Sequence, residues 1–301
     1  MNLRFVEAFY WVVTLRSMTR AAEKLHLTQS AMSSRVASLE EELGTLLLDR
    51  RDRQFRVTGA GARFFLHAEK LLALQRDIKA EMGSSGSQPV TLRIGAIESV
   101  VHSWLIDWLR DMRTQEPGLA LELTVETSPI LVDQLRRGTL DLAVAALPAS
   151  GGELRSQALP AMEMAFAGHA GLHRRRRYAL DELVAAGLLT FQRGSQPQLA
   201  LLDLLRRAGL EQARVHSISS ISAMAELVEE GLGVATLPRA VVSRLARRLP
   251  LKALLVDTAL PALPIHLSWR LDPTSLAQQA LIDSVCQRLG VGRPASKKSM
   301  R

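Results

Sequence analysis

The chain is poor in the side chains from which covalent and metal chemistry is built. Its 301 residues contain one cysteine, Cys286, so no disulfide can close within it and one thiol cannot make a redox pair. The seven histidines show no metal-ligand spacing. His169 and His173 stand four apart, but Gly168 and Gly171 make a helix there unfavourable. No apolar run approaches the roughly 18 residues of a membrane-spanning helix. Glu7 interrupts the apolar start, so no secretion signal is expected and the expected location is cytoplasmic. Gly231-Leu232-Gly233 is followed by Val234-Ala235-Thr236, lacks a third glycine and precedes a strand. It reads as a helix stop and not as a nucleotide fingerprint. No cofactor, metal or catalytic constellation is expected, and the chain reads as a non-enzyme.

What it has in excess is positive charge: a formal +8 and a pI of about 10.3, which suits a polyanionic partner. The excess is not concentrated at the start. Residues 1–60 hold nine Lys/Arg against seven acids, so placement carries the argument and bulk charge does not. Other basic groups sit in 174–177, which reads as a solvated loop, and in the tail (Lys297, Lys298, Arg301).

Ser17 to Gly44 organises the rest. Two short helical patterns meet at Leu25-His26-Leu27-Thr28. Ala21 and Ala22 allow close helix approach, and Thr28 is placed to cap the second helix. Met32, Val36, Leu39 and Leu43 form an apolar stripe at i, i+4, i+7, i+11. The other face carries Gln29, Ser30, Ser33, Ser34 and Ala37, flanked by Arg35. A helix entering a DNA major groove needs small, uncharged hydrogen-bonding groups there, with carboxylates kept away from phosphates. Glu40, Glu41 and Glu42 come only at the far end, where they are expected to end the readable face and aid solubility. Residues 46–57 then read as a β-hairpin wing. Its Arg50, Arg51, Arg53 and Arg56 suit phosphates or a minor groove.

These residues carry a resemblance. Phe5, Phe9, Ser17, Ala21, Ala22, Leu25, Thr28, Gln29, Ser30, Ala31, Ser33, Leu39, Glu40, Leu43, Gly44, Leu48, Arg50, Thr58 and Gly61 match, at fixed spacing, the winged helix-turn-helix of LysR-type transcriptional regulators. The family often has a basic residue after the position of Ser33; this chain has Ser34, followed by Arg35. The resemblance implies DNA contacts from Thr28, Gln29, Ser30, Ser33, Ser34, Arg35, Arg50, Arg51 and Arg53.

A helix of about twenty residues is expected from Thr58 and Gly61 to about Glu81. It cannot bury both its sides on a small domain. By resemblance it is the linker helix on which family members dimerise. Gly83 to Pro89 reads as a flexible hinge. Downstream, Val90–Ala96, Leu119–Val125 and Leu140–Ala146 read as strands, with helices over 100–112 and 129–137 between them. This order implies a parallel sheet with helices on both faces. A second set of strands (164–167, 188–191, 215–218, 234–237) and helices (181–186, 199–208, 221–230) follows. A strand at 265–269 and a helix over 274–289 close the chain.

The fold class is therefore α/β: a winged helix-turn-helix over 1–60, a linker helix and hinge over 61–89, and an effector domain over 90–295. The last resembles the two-lobed periplasmic-binding-protein-like domain of the same family. Lobe I would comprise 90–161 and 267–295, and lobe II 162–266, with crossings near Pro160 and Pro264.

Ligands of open α/β sheets bind beyond the carboxyl ends of the strands. The hydroxyls at those ends are Ser99, Thr127, Ser128, Ser195, Ser219 and Ser220, each at an expected helix N-terminus that favours an anion. Each could equally do no more than cap its own helix. Serines matching Ser99 and Ser128 lie at effector-contacting positions in the family. Glu98 would repel an acid unless paired, and Arg193 could pair with it or with the effector. The resemblance implies double-stranded promoter DNA, a small organic acid or polar metabolite as effector, and a homodimer or homotetramer. It leaves RNA polymerase open as a further partner and involves no membrane. The competing reading is a solute-binding or enzymatic α/β protein whose N-terminal helices bind only other proteins.

Overall fold

A computed structural model describes residues 1–49, 56–81, 91–115, 120–151, 154–271 and 276–292. The expected hinge over 83–89 and the basic tail lie outside these residues.

The N-terminal head packs α1 (Leu3–Leu15), α2 (Met18–Lys24) and α3 (Gln29–Leu43) on one another. Its core is aromatic: Phe9, Tyr10 and Trp11 on α1 are all at most 1% exposed. The wing pairs β1 (Leu48–Asp49) with β2 (Arg56–Val57) in antiparallel register, Leu48 opposite Val57 and Asp49 opposite Arg56. Then α4 (Gly59–Glu81) leaves the head. Two ring contacts fix its root, Phe9 edge-on to Phe64 at 5.5 Å and Tyr10 stacked on Phe65 at 5.2 Å. Thr58 Oγ1 donates to the carbonyl of Leu46 or Leu47 and accepts from Gly61 N–H at 2.9 Å. Position 61 must be glycine on steric grounds, because a Cβ there would stand 2.1 Å from the Leu47 carbonyl oxygen.

The first lobe contains β3 (Thr91–Ala96), the short α5 (Glu98–Val100), a π-helical turn over Val101–Leu105 and α6 (Ile106–Gln115). It continues with β4 (Ala120–Val125), α7 (Ser128–Arg137), β5 (Leu142–Ala145) and β6 (Leu154–Met162). The second lobe contains β7 (Met164–His169), α8 (Leu180–Ala185), β8 (Leu188–Phe191), α9 (Gln196–Arg207) and β9 (Val215–Ile218). After these come α10 (Ile221–Glu229), β10 (Val234–Pro238), α11 (Arg239–Leu245) and β11 (Leu251–Leu254). Finally β12 (Leu263–Arg270) and α12 (Leu276–Arg288) return to the first lobe.

The sheet orders are β4-β3-β5-β12-β6 and β11-β7-β10-β8-β9. Each is mixed. In the first, the three strands read as a parallel set, β3, β4 and β5, do run parallel, and β12, which runs antiparallel to β5 and β6, comes from later in the chain. In the second, β8 is parallel to β9 and β10, while β7 is antiparallel to β10 and β11.

β6, β11 and α11 are elements the sequence reading did not find. β6 contains Pro160, which argues against a strand in general. It lies at a sheet edge, where a missing N–H is tolerated. β12 pairs along β6 from Leu263 onward, so the return to lobe I precedes residue 263 and does not fall at 267. The register shifts between Leu263 and Ile265, across Pro264, which has no N–H to place in the ladder.

Candidate functional site

Two separate regions gather the residues singled out from the sequence. The first is the outer face of α3. Thr28 Oγ1 caps this helix, accepting from Ala31 N–H at 3.2 Å, and lies 3.0 Å from Ser30 Oγ. Gly44 ends it with φ +64°, a conformation that glycine adopts without strain. Met32, Val36 and Leu39 are wholly buried. Thr28, Gln29, Ser30 and Ser34 are exposed, and Ser33 and Arg35 are half-buried at the flanks. The polar face is therefore turned outward. Arg50, Arg51 and Arg53 lie outside the described residues, whereas Arg56 is exposed on β2.

One acid departs from its expected role. Glu40 is 5% exposed, and its Oε1 accepts from Leu47 N–H at 2.8 Å and Leu48 N–H at 3.0 Å. It roots the wing and is not a solubilising group. The missed signal was its position four residues after Val36, on the apolar stripe.

The second region is a cavity of about 340 Å³. Ser99, Thr127, Ser128, Arg193, Ser195 and Ser219 line it, together with Glu98. They come from both lobes: Ser99 follows β3, Thr127 and Ser128 open α7, Arg193 and Ser195 precede α9, and Ser219 follows β9. Ser220 is not in the wall. It caps α10, accepting from Ala223 N–H at 3.4 Å.

The hydroxyls divide by use. Ser195 Oγ caps α9 by accepting from Gln198 N–H at 3.4 Å, and Gln198 Oε1 in turn accepts from Gly194 N–H at 3.1 Å. Ser128 Oγ accepts from Ala146 N–H at 3.0 Å, tying the start of α7 to the end of β5. Ser99 is 3% exposed and makes no side-chain hydrogen bond among the described residues. Thr127 makes no side-chain cap bond. Ser99, Thr127 and Ser219 are thus the wall hydroxyls not engaged by the fold.

Glu98 is not paired with Arg193. Its Oε1 accepts from Ile221 N–H at 2.9 Å, with Ser220 Oγ at 3.5 Å and His102 Nε2 at 3.6 Å. A carboxylate from lobe I thereby caps α10 of lobe II, where the helix dipole favours an anion. Arg193 is exposed and makes no ion pair among the described residues. Sequence reasoning also missed the apolar wall of Phe191, Leu147 and Leu263, and the acid Glu126. Phe191 ends β8 and Leu147 follows β5, so the strand-end rule that found the serines also reaches them.

Two family models match the chain. The model of the bacterial regulatory helix-turn-helix protein, lysR family, matches residues 3–62. The model of the LysR substrate binding domain matches residues 85–290. The HTH-type transcriptional regulator HdfR of Yersinia enterocolitica is 36% identical over 156 residues, covering 52% of this chain and 53% of that one. HdfR of Yersinia pestis is 35% identical over 181 residues, covering 60% and 59%. The chain spans between half and three-fifths of the length of these curated relatives. In structure it is similar to ArgP from Mycobacterium tuberculosis, with TM-score 0.59 and 23% identity over 97% of this chain and 98% of that one. It is also similar to full-length CbnR complexed with its target DNA, with TM-score 0.55 and 21% identity over 95% and 99%. With the two family models together matching the head and the two-lobed domain, the chain belongs to the LysR family of bacterial helix-turn-helix proteins.

Proposed function

We propose that the protein is a non-enzymatic, cytoplasmic transcriptional regulator that binds promoter DNA through its head and a small-molecule effector between its lobes. The observation that carries the reading is the α3 face. Gln29, Ser30 and Ser34 stand in solvent while the stripe behind them is sealed. Such a helix presents amide and hydroxyl groups to base edges at close range. Gln29, Ser30, Ser33 and Ser34 read the bases, and Arg35 contacts bases or phosphate. Thr28 holds the helix start near the backbone, and Arg50, Arg51 and Arg53 hold phosphates or the minor groove. The likeness to CbnR, which is solved with its target DNA, supports this geometry.

α4 exposes Leu66, Leu74 and Ile78 at 60%, 58% and 49%. Three large apolar side chains along one solvent-facing helix support self-association there, as homodimer or homotetramer.

The effector is a small organic acid or another polar metabolite. Arg193 and the disengaged hydroxyls of Ser99, Thr127 and Ser219 hold its polar end, and Phe191 and Leu147 take its apolar body. Ser128 adds its hydroxyl hydrogen, while Ser195 and Ser220 shape the site from their caps.

A gel shift with the DNA upstream of the protein's own gene tests the first part. A retarded band that survives non-specific competitor is expected, and no band at any protein concentration overturns it. Arg53→Ala flattens the dependence of log affinity on log salt by roughly 0.9 for each phosphate that position 53 no longer neutralises. Calorimetric titration of a metabolite panel tests the second part. Ser99→Ala is expected to weaken whichever metabolite binds, and equal affinity of the two proteins removes Ser99 from the site.

A further inference from the structure

The head touches the first lobe of its own chain, and the contact is specific. Lys24 at the end of α2 gives Nζ to Asp141 Oδ1 at 2.6 Å, with the two side chains 15% and 11% exposed. The same ammonium lies 5.0 Å from the centre of the Trp11 ring. Tyr10 Oη donates to the Leu271 carbonyl at 3.2 Å. Leu15 fills the space beside Gly138, where a Cβ would stand 2.6 Å from its methyl group.

Asp141 is itself held on the lobe side. Its Oδ2 accepts from Arg93 N–H at 3.0 Å, its N–H donates to the Arg93 carbonyl at 2.9 Å, and its carbonyl accepts from Gln278 Nε2 at 3.2 Å. Arg93 lies on β3 and Asp141 immediately precedes β5; these are adjacent parallel strands. Their far ends lead into Ser99 and Ala146 of the cavity wall, on the order of 15 Å away.

We propose that the Lys24–Asp141 contact is a clasp that fixes the head on lobe I, so that lobe I, and not α4 alone, sets the head's orientation. An ion pair this deep depends on both members, because removing one strands the other in a poorly hydrated place. Docking leaves the polar face of α3 open, since Gln29, Ser30 and Ser34 remain exposed. The consequence for regulation rests on the function proposed above: a rotation between lobes turns the head with lobe I. The clasp itself does not rest on that function, and its test uses neither DNA nor effector.

The full chain is labelled with nitroxides at Glu41→Cys on α3 and Arg113→Cys on α6, both exposed positions. Cys286, at 1% exposure, stays unlabelled. Labelled chain is diluted into an excess of unlabelled chain so that distances within one chain dominate the pulsed dipolar signal. One narrow distance is expected, and Lys24→Glu is expected to abolish it. A broad distribution before any clasp substitution overturns the proposal. So does an unchanged narrow peak in a Lys24→Glu chain with native circular dichroism. If Lys24→Glu does not fold, Lys24→Met is read instead. It keeps the apolar stem over Trp11 and drops only the charge; loss of the narrow distance supports the clasp, and its persistence overturns it.

Discussion

The head and the cleft are each closed by one carboxylate, and the two differ in what would open them. Glu40 reaches seven and eight residues along the chain to the Leu47 and Leu48 amides and is 5% exposed. Glu98 reaches 123 residues, across the cleft, to the amide of Ile221, with its side chain 22% exposed. The first contact lies inside one small core and ends only when the root of the wing unfolds. The second lies between two lobes with separate sheets and does not act alone: Arg244 of lobe II donates to the Ser103 carbonyl at 3.1 Å and pairs with Asp107 at 3.2 Å, and Val100 and Ile221 belong to one buried apolar cluster. A carboxylate can thus root a local element within a few residues of itself, or act as one of several contacts that join two lobes.

The largest effect that could break this contrast belongs to Glu40→Ala. It leaves two buried N–H donors without their charged acceptor, a loss of about 3 kcal/mol. Amide hydrogen exchange at Leu47 and Leu48 should then quicken by about a hundredfold. Glu41→Ala, at the exposed neighbour, should change stability by no more than about 0.5 kcal/mol. Equal effects from the two substitutions would mean that Glu40 does not root the wing.

Glu98→Ala should act more weakly, by about 1 kcal/mol, the ordinary worth of a helix cap. Exchange at the Ile221 amide should rise by about fivefold, with Leu47 and Leu48 unchanged. A response at Ile221 as large as that at Leu47 in the Glu40 variant would remove the distinction between the two carboxylates.

The same difference in reach decides what the sequence could disclose. The α3 helix was legible because everything that defines it lies within one turn of itself: the Thr28 cap, the Met32–Val36–Leu39 stripe and the Gly44 stop. The cleft serines were legible because each follows a strand, and strand order implies where strand ends meet. The partner of Glu98 was not legible, since no local pattern links position 98 to the start of α10. Charge logic offered Arg193 either to Glu98 or to the effector, and Glu98 instead meets the N-terminus of a helix. Glu40 was misread because three acids in a row look like a solvated end. β6 was hidden by Pro160 and its polar alternation, which its place at the edge of the sheet accommodates.

The smallest effect sharpens the contrast through pH. His266 lies on β12, opposite Ala145 on β5, next to the strand end that lines the cleft. Burial lowers its pKa from the usual 6.5, and a backbone hydrogen bond with Ala146 offsets this in part. Its Nδ1 is buried without a hydrogen-bond partner among the described residues. The unfolded chain therefore binds a proton that the folded chain resists. The neutral ring's contribution is fully present above pH 6.5 and is lost as pH falls through the folded value. Acid should loosen lobe I by this route. Thermal melts of wild type and His266→Leu between about pH 7.5 and 5.5 isolate the term, because the carboxylates common to both cancel in the difference. A steeper fall in wild type is expected. Parallel curves would mean that His266 on β12 carries no proton-linked stability.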